Sequence, residues 1–377
     1  MAQSFTEQLT QAEELARKDK RGCSGCKEDL FRKMRQEIFG SAFRGNIGVV
    51  MPARDEGGEV ASTLASIVAS KTGQGDMHVN LIDDASKEEC AHAALMQVVQ
   101  TSLDNAKAPG KITLSTTRHS QPYGVGQSRN EGTARLLKSG ADVIAYLDAH
   151  ERIEKAGLEI MAAKAAESGA IVCAGSTGFE DDGQFWAWGC KLIYAPDEKV
   201  IAAKWLAPKN GKAGRDGRPE EPWLQVTAFM GGAYVMSRQT IEKLSKPTGR
   251  LWEDIAGEWG FSEEALSLKA AMLGVPILVS RDVVVKHLYR DACPCPDSTK
   301  QMWMNVVFAL SMLWDEKTFR QLAHVPCADR LGAKVVSAIA ELARGDVEIF
   351  DTAVVHETLR RVVESLPPLE VEADANG

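Results

Sequence analysis

Short apolar runs that end in polar residues are the feature that most constrains this chain. Three of them occupy residues 47–51, 79–82 and 143–147, and helical patterns lie between them. A short, continuous apolar run predicts a buried strand. Strand and helix patterns alternate from residue 45 to about residue 175. This alternation predicts an α/β fold, with a mostly parallel sheet flanked by helices.

The third run leads into Asp148-Ala149-His150-Glu151. This places a carboxylate and an imidazole at the carboxyl edge of the predicted sheet, where open α/β folds bind ligands. Since side chains alternate along an extended chain, Asp148 and His150 point to the same side and can share one metal ion. A carboxylate with an imidazole suits a Mn²⁺-type ion better than an all-oxygen Mg²⁺ cage.

The two earlier runs also end in polar groups. The first continues into Pro52-Ala53-Arg54-Asp55-Glu56, and the second ends in Asp83-Asp84. One of the two aspartates is expected to accept hydrogen bonds from the base or ribose of a nucleotide, while the other orients the turn. The alternative is an Asx-type turn without a ligand. Arg54 suits a phosphate or a sugar, or else a surface ion pair.

These motifs resemble the nucleotide-binding half of GT-A glycosyltransferases. A Gly-rich turn into a helix, Gly124-Val125-Gly126-Gln127-Ser128-Arg129-Asn130, follows the two strand ends and precedes Asp148. Family 2 enzymes typically carry P-A-x-N-E, D-D-x-S, G-x-x-x-x-R-N and D-x-D in this order. The resemblance implies a GT-A (Rossmann-like) fold. It also implies a nucleotide-sugar donor. The residues that would hold it here are Pro52, Ala53, Arg54, Glu56, Asp83, Asp84, Arg129 and Asp148. For Arg129 a surface ion pair is the alternative.

The chain departs from the family 2 pattern in two ways, and in both it resembles the polypeptide N-acetylgalactosaminyltransferases. The metal motif ends in His150, and a Gly231-Gly232 block, a W-G-x-x-E block and an H-x-x-R block follow it. In that family the histidine matching His287 completes the metal site, and the arginine matching Arg290 reaches the diphosphate. For His287 the alternative is a polar residue that caps a strand. The resemblance covers about residues 45–292.

The same blocks supply the predicted groups around the sugar. Gly231 and Gly232 let the backbone approach the donor sugar, or else form a tight turn without a ligand. Trp259 lines the acceptor side or is a packing residue. All three are counted among the nucleotide-sugar-binding residues.

Glu263 and Glu264 stand where related sequences carry acidic groups, and with Asp148 they are the predicted catalytic residues. In inverting enzymes such a carboxylate removes the acceptor proton, whereas in the retaining relatives the acidic groups mainly hold the sugar. Because W-G-F-S-E-E here replaces W-G-G-E-N, the choice between the two glutamates and the stereochemistry stay open, with retention slightly favoured. Alternatively, both glutamates favour a helix N-terminus.

Two cysteine pairs flank the predicted catalytic core: Cys23 with Cys26, and Cys293 with Cys295. If the fold brings them together, four thiolates suit a structural Zn²⁺ ion. The alternative is two unrelated pairs of free thiols.

The predicted organisation has an N-terminal helical extension (1–44), a GT-A catalytic domain (45–292) and a C-terminal helical region with a frayed tail (293–377). The sequence shows no signal-peptide pattern and no apolar run of membrane-spanning length. The animal enzymes that it resembles carry a membrane anchor and a lectin domain, and neither is expected here. A cytoplasmic enzyme of a bacterium or of a phage-infected cell is therefore predicted.

The acceptor prediction depends on residues 199–218, which carry six Lys or Arg residues and one Asp in a chain of net charge −8. Tryptophans lie in and around this stretch. Basic residues interleaved with aromatics can hold a polyanion and stack on bases, which suits a flipped base in DNA. Some phage glycosyltransferases of this general class add sugars to hydroxymethylated pyrimidines. The alternative is a lid that closes over the donor.

The sequence thus predicts a metal-dependent glycosyltransferase that uses Mn²⁺ or Mg²⁺ and a UDP-sugar or similar donor. The acceptor is a hydroxyl group, in modified DNA or else in a protein, a glycan or a small molecule. Two other interpretations remain. A nucleotidyltransferase would carry a Gly-rich loop with a basic residue near the first strand, and a catalytically silent module would lack metal ligands.

Overall fold

The structure is a computed structural model that describes residues 43–87, 110–179, 186–195, 200–206, 221–229, 232–254, 260–289 and 298–344. Twelve strands are described: β1 (Ile47–Ala53), β2 (Met77–Asp83), β3 (Ile112–Arg118), β4 (Val143–Tyr146), β5 (Glu151–Ile153), β6 (Ile171–Gly178), β7 (Trp186–Ala187), β8 (Cys190–Ala195), β9 (Val200–Trp205), β10 (Trp223–Val226), β11 (Tyr234–Ser237) and β12 (Ile277–His287). The predicted strands at 47–51, 79–82 and 143–147 correspond to β1, β2 and β4.

The described helices alternate with these strands and then continue alone towards the C-terminus. They are α1 (Glu59–Ser70), α2 (Val125–Lys138), α3 (Gly157–Ser168), α4 (Arg238–Ser245), α5 (Ser262–Met272), α6 (Ser298–Leu313), α7 (Glu316–Leu322), α8 (His324–Leu331) and α9 (Ala333–Arg344). None of the helices that the structure describes is long and apolar enough to cross a membrane.

Ten of the strands form one mixed sheet in the order β10-β12-β6-β11-β4-β1-β2-β3, with β5 attached to β12 and β7 to β6. The half from β4 to β3 is parallel, and β12 pairs with β6 in parallel. Strand β11 runs antiparallel between β4 and β6. The predicted α/β fold is therefore confirmed. The antiparallel β11 joins its two parallel parts.

The sheet is buried on both faces, as its apolar runs predict. One core cluster contains Val49 and Met51 of β1 with Leu64 of α1, and a second contains Val50 with Leu136 of α2. Alternate residues of β1 thus enter opposite layers, as the period of an extended chain requires. A third cluster packs α5, α6 and the later helices against β8 and β9. The C-terminal helices are thereby joined to the same body as the sheet.

Two local features differ from what residue type and periodicity alone favour. Serine is a favoured N-cap residue, but the residue at the N-cap of α5 is Phe261, in a left-handed conformation, and Ser262 follows it. The Ser262 hydroxyl instead donates to Asp254. Residues 185–223 have only weak periodicity, yet β8 and β9 form a separate two-stranded antiparallel sheet there. Most of the predicted N-terminal helical extension (1–44), the helical pattern at 86–103 from residue 88 onwards and the sequence beyond residue 344 lie outside the described residues.

Candidate active site

The candidate site lies at the carboxyl edge of the sheet, where β4 ends. β12 pairs antiparallel with β5 in a register that places His287 opposite Glu151. The Leu288 amide donates to the His150 carbonyl at 3.2 Å, which fixes β12 against the same turn. The pairing of β12 with β5 therefore brings a residue about 140 positions away in sequence beside the Asp148-Ala149-His150 turn.

Asp148, His150 and His287 converge at this point. Each offers one ligand atom, and these atoms all lie within 4.8 Å of one another. His287 Nε2 lies 3.5 Å from Asp148 Oδ2, and the two imidazole rings are 4.7 Å apart between centroids. His150 Nδ1 lies 3.2 Å from Glu56 Oε2, which fixes the orientation of the ring. The three residues predicted as metal ligands are thus assembled, with a second carboxylate, that of Glu56, beside them.

The donor set fits a divalent transition-metal ion. Two imidazoles and one carboxylate are ligands that Mn²⁺ and similar ions accept, and each side chain is only partly exposed. Within the described part of the chain, the buried Nδ1 of His287 has no hydrogen-bond partner. Burial disfavours the Asp148 carboxylate, but the hydrogen bond from His287 and the charge of Arg129 outweigh it and hold the pKa of Asp148 below its ordinary value. Asp148 is therefore ionised at neutral pH and available to a cation.

Hydrogen bonds to backbone groups hold the turn that carries Asp148 and His150. Thr63 of α1 donates its hydroxyl to the Ala149 carbonyl at 2.8 Å and accepts from the Glu151 amide at 3.0 Å. The fully buried Glu151 carboxylate accepts from the Asp148 amide at 3.2 Å. Burial, together with the nearby charge of Asp148, raises the pKa of Glu151 well above its ordinary value. The sequence pattern showed Glu151 only as the end of a motif and gave it no role.

Gly232 packs directly against Glu151. A Cβ atom at Gly232 would approach Glu151 Oε1 to less than 3.0 Å, a separation that real Cβ atoms essentially never show. The missing side chain therefore accommodates the buried glutamate. The expected approach of Gly232 to a donor sugar stays a prediction, and Gly231 lies outside the described residues.

We expect Gly232→Ala to lower both stability and transfer activity. The added methyl group must displace Glu151, and with it the backbone of Asp148, so overpacking should cost about 1–3 kcal/mol of unfolding free energy. Chemical denaturation and an initial-rate assay measure the two effects. Gly58→Ala is the matched control, since nothing lies within 4 Å of a Cβ there and φ is −68°. Equal behaviour of the two variants would contradict the packing argument.

The aspartate pair at the end of β2 is bound within the protein. Asp83 accepts from the Ser86 amide at 2.9 Å and from Arg118 Nη1 at 2.9 Å. Asp84 accepts from the amides of Tyr123 and Gly124 at 2.8 and 2.9 Å and lies 2.7 Å from His119 Nδ1. Asp84 therefore orients the turn into α2. The nucleotide contact predicted for one of the pair stays a prediction.

The loop after β1 lies beside the triad. Pro52 and Ala53 end the strand, and Ala53 lies opposite Asp83 in the register of β1 and β2. The Ala53 carbonyl accepts from the Asp84 amide at 2.8 Å. Glu56, which faces His150, comes from the same loop. The loop is thus held where the sequence predicted it, at the edge of the sheet, and Arg54 is partly exposed within it.

Arg129 of α2 links the N-terminus of α5 to the predicted metal ligand Asp148. Arg129 Nη2 donates to Asp148 Oδ1 at 3.2 Å, and Nη1 donates to Glu263 Oε1 at 2.9 Å. Glu263 is partly exposed, whereas Glu264 is buried. Glu263 thus contacts the predicted metal side through its ion pair with Arg129, and the catalytic role of the two glutamates stays a prediction. Trp259, Arg290 and the four cysteines of the predicted zinc site lie outside the described residues.

Residues 252–254 complete this side of the site, and the sequence analysis did not single them out. Trp252 and Asp254 are almost fully buried near Arg129. Burial raises the pKa of Asp254 from its ordinary 3.8 to about 7, against the hydrogen bond from Ser262 and the charge of Arg129. A Glu-Asp pair inside an otherwise apolar block was the signal that could have identified them.

The raised pKa of Asp254 predicts a pH-dependent stability. Between pH 4 and pH 7 the folded state keeps the proton and the unfolded state loses it, so stability falls as the pH rises. Relative to Asp254→Asn, wild type should lose up to about 1.4 kcal/mol of unfolding free energy per pH unit in this window. Denaturant titrations at pH 5, 6 and 7 measure it. Asp329→Asn, at an exposed position, is the control, and a wild-type slope matching Asp254→Asn would contradict the assignment.

Comparison with known proteins identifies the fold. A profile of the family described as Glycosyl transferase family 2 matches residues 48–231, which include Asp148 and His150 but not Glu263 or His287. The solved structure of GalNAc-T7 with UDP, GalNAc and Mn²⁺ superposes with a TM-score of 0.53 at 18% identity, over 86% of this chain and 58% of that one. The chain has a GT-A-like α/β fold. The likeness to GalNAc-T7 concerns the fold, and this chain spans under two thirds of that one.

Other solved structures are similar at lower scores. TarS of S. aureus in complex with UDP-GlcNAc has a TM-score of 0.42 at 14% identity, covering 85% of this chain and 82% of its own. The mannosyltransferase PcManGT of Pyrobaculum calidifontis, in complex with GDP-Man and Mn²⁺, has a TM-score of 0.43 at 14% identity. The match covers 96% of this chain and 91% of PcManGT. No curated protein matches this sequence.

Proposed function

We propose that this protein is a GT-A glycosyltransferase that moves a sugar from a nucleoside diphosphate sugar to a hydroxyl group, with a divalent cation held by Asp148, His150 and His287. The observation that carries the proposal is the convergence of these three side chains from two strand ends. Mn²⁺ is the favoured ion and Mg²⁺ the alternative, since imidazole ligands suit Mn²⁺ better. Such an ion neutralises the charge that develops on the leaving diphosphate.

The protein's own residues hold and orient the reacting groups. Asp148 is kept ionised by His287 and Arg129, and Glu56 orients the His150 ring. Glu263 is the candidate carboxylate on the acceptor side, because it is partly exposed and lies across Arg129 from Asp148. If it removes the acceptor proton the product is inverted, and if it only holds the sugar the product is retained. Retention keeps a slight preference, on the sequence resemblance.

For the donor we propose a UDP-sugar. The solved GalNAc-T7 and TarS structures contain UDP or a UDP-sugar, whereas PcManGT contains GDP-Man. The resemblance of the D-x-H and H-x-x-R motifs to the GalNAc transferases favours UDP.

For the acceptor we propose an anionic polymer, with hydroxymethylated DNA as the first candidate. Most of the basic stretch 199–218 lies outside the described residues. Within the described part, Lys191 of β8 stands directly opposite Lys204 of β9. Two lysines in one cross-strand pair place positive charge on this face, which suits a polyanion. A protein, glycan or small-molecule acceptor is the alternative, and the cytoplasmic location stays a prediction.

A panel of nucleotide sugars tests the function. Donor hydrolysis is followed by mass spectrometry with Mn²⁺, with Mg²⁺ and with EDTA. We expect turnover of at least one UDP-sugar that requires the cation. Turnover that persists in EDTA, or none with any donor, would contradict the proposal. The identified donor is then tested with hydroxymethylated DNA against unmodified DNA, and equal labelling of both would contradict the DNA acceptor.

A further inference from the structure

The guanidinium of Arg129 is a buried cation beside the candidate site. Its side chain is 4% exposed and enters from the first turns of α2. Its two terminal nitrogens are bound to carboxylates on different elements, namely Asp148 after β4 and Glu263 in α5. One side chain thus links the metal side of the site to the acceptor side.

We propose that Arg129 is a positioning residue that fixes Asp148 relative to α5, and that it does not bind the donor phosphates. This inference rests on the proposed function, because it uses Asp148 as a metal ligand. It replaces the expectation from the sequence resemblance that Arg129 pairs with phosphate.

The surroundings of Arg129 exclude it from the solvent. Its guanidinium carbon lies 4.8 Å from the ring centroid of Trp252 and 5.7 Å from that of Tyr234, and both rings are almost fully buried. Aromatic faces stabilise a cation held at this distance. A guanidinium enclosed in this way cannot turn towards a phosphate without leaving the rings and both of its carboxylate partners.

The Arg129 bridge between Asp148 and Glu263 sets the direction of the Asp148 carboxylate. Oδ1 accepts from Arg129, so Oδ2 is the oxygen that faces His287. A second partner of this kind restricts the rotamer of a metal ligand, and its loss typically lowers metal affinity or activity by about 10- to 100-fold. The same guanidinium balances the charge of Glu263. Arg129 therefore couples the geometry of the metal ligands to the start of α5.

The test is Arg129→Lys, which keeps the positive charge and loses the forked geometry. Mn²⁺ affinity is measured without nucleotide, by the decrease of the free-ion electron paramagnetic resonance signal, and kcat and KM are measured with the donor. We expect Mn²⁺ affinity and kcat to fall by about 10- to 100-fold, with KM for the donor within about threefold of wild type. Arg135→Lys is the matched control, since Arg135 lies on the same helix in an exposed pair with Glu131.

Glu263→Gln is the second variant, and it removes the charge of the other carboxylate partner of Arg129. It also serves as the test if Arg129→Lys fails to fold. Glu263 is not one of the three converging ligands, yet the bridge predicts that its neutralisation weakens Mn²⁺ binding, by about tenfold. Because the two residues act as one unit, the double variant should lose less kcat than the product of the single losses.

Two results would overturn the inference. One is a raised KM for the donor with unchanged Mn²⁺ affinity in Arg129→Lys, which marks a phosphate ligand. The other is Mn²⁺ affinity in Glu263→Gln equal to that of wild type. If wild type binds Mn²⁺ but turns over no donor, the proposed function fails, and the Mn²⁺ affinities still decide the role of Arg129.

Discussion

Replacement of Asp148 or His287 by alanine is expected to abolish sugar transfer. Asp148 offers the only carboxylate of the converging triad, and His287 is held within 3.5 Å of it by the register of β12 against β5. Removal of either leaves two ligands, too few to hold a divalent ion at a catalytic site. The expected result is no detectable donor hydrolysis or transfer at saturating Mn²⁺, a loss of at least about 1,000-fold.

Controls separate loss of the metal from loss of the fold. Asp329→Ala and His324→Ala lie in the C-terminal helices and should retain wild-type activity. All four variants are compared by circular dichroism and thermal unfolding without metal. Full activity in Asp148→Ala or in His287→Ala would contradict the ligand assignment.

Replacement of Lys269 by methionine is expected to destabilise the protein strongly. Lys269 and Glu253 form an ion pair with no solvent exposure. The ammonium also donates to the carbonyls of Arg250 and Leu251 at 2.9 Å each. Its loss leaves Glu253 charged and buried, which typically costs about 3–5 kcal/mol. Urea denaturation at pH 7 measures the change in unfolding free energy.

The double variant Lys269→Met, Glu253→Leu provides the sharper comparison. Removal of both charges avoids an isolated buried ion, so it should recover part of the stability lost in the single variant. Arg320→Met, which breaks the exposed pair with Glu316, should change stability by no more than about 1 kcal/mol. A single variant no less stable than Arg320→Met would contradict the structural role of the buried pair.

This pair matters for the site because it holds the chain segment next to it. Trp252 and Asp254 flank Glu253, and Trp252 covers one face of Arg129. The Trp252 amide also donates to Asn130 Oδ1 at 3.1 Å, which ties the segment to α2. Stability in this segment and order in the metal site are therefore linked through Arg129.

The parts of the fold that depend on local pattern could be predicted from the sequence. The apolar runs at 47–51 and 143–147 identified β1 and β4, because a buried parallel strand needs apolar residues on both faces. The polar residues after them identified the edge that carries Asp148 and His150. His287 was found through its motif, and its place depends on a pairing between β5 and β12 that no local pattern encodes.

The parts that depend on burial could not be predicted. Arg129 was placed among the nucleotide ligands because an arginine after a Gly-rich turn suits phosphate, and nothing in the sequence shows that Trp252 and Tyr234 enclose it. Glu151 and Asp254 are acidic residues that the fold buries against backbone amides and hydroxyl groups. Ser262 has a good capping side chain, but a nearby buried carboxylate takes its hydroxyl instead.

A Mn²⁺ titration of the full chain, followed by electron paramagnetic resonance without nucleotide, tests the central claim most directly. Wild type is expected to bind one Mn²⁺ ion, and both Asp148→Ala and His287→Ala are expected to lose that site, while Asp329→Ala retains it. Binding of Mn²⁺ with wild-type affinity by Asp148→Ala and His287→Ala, or no binding by wild type, would contradict the metal centre proposed here.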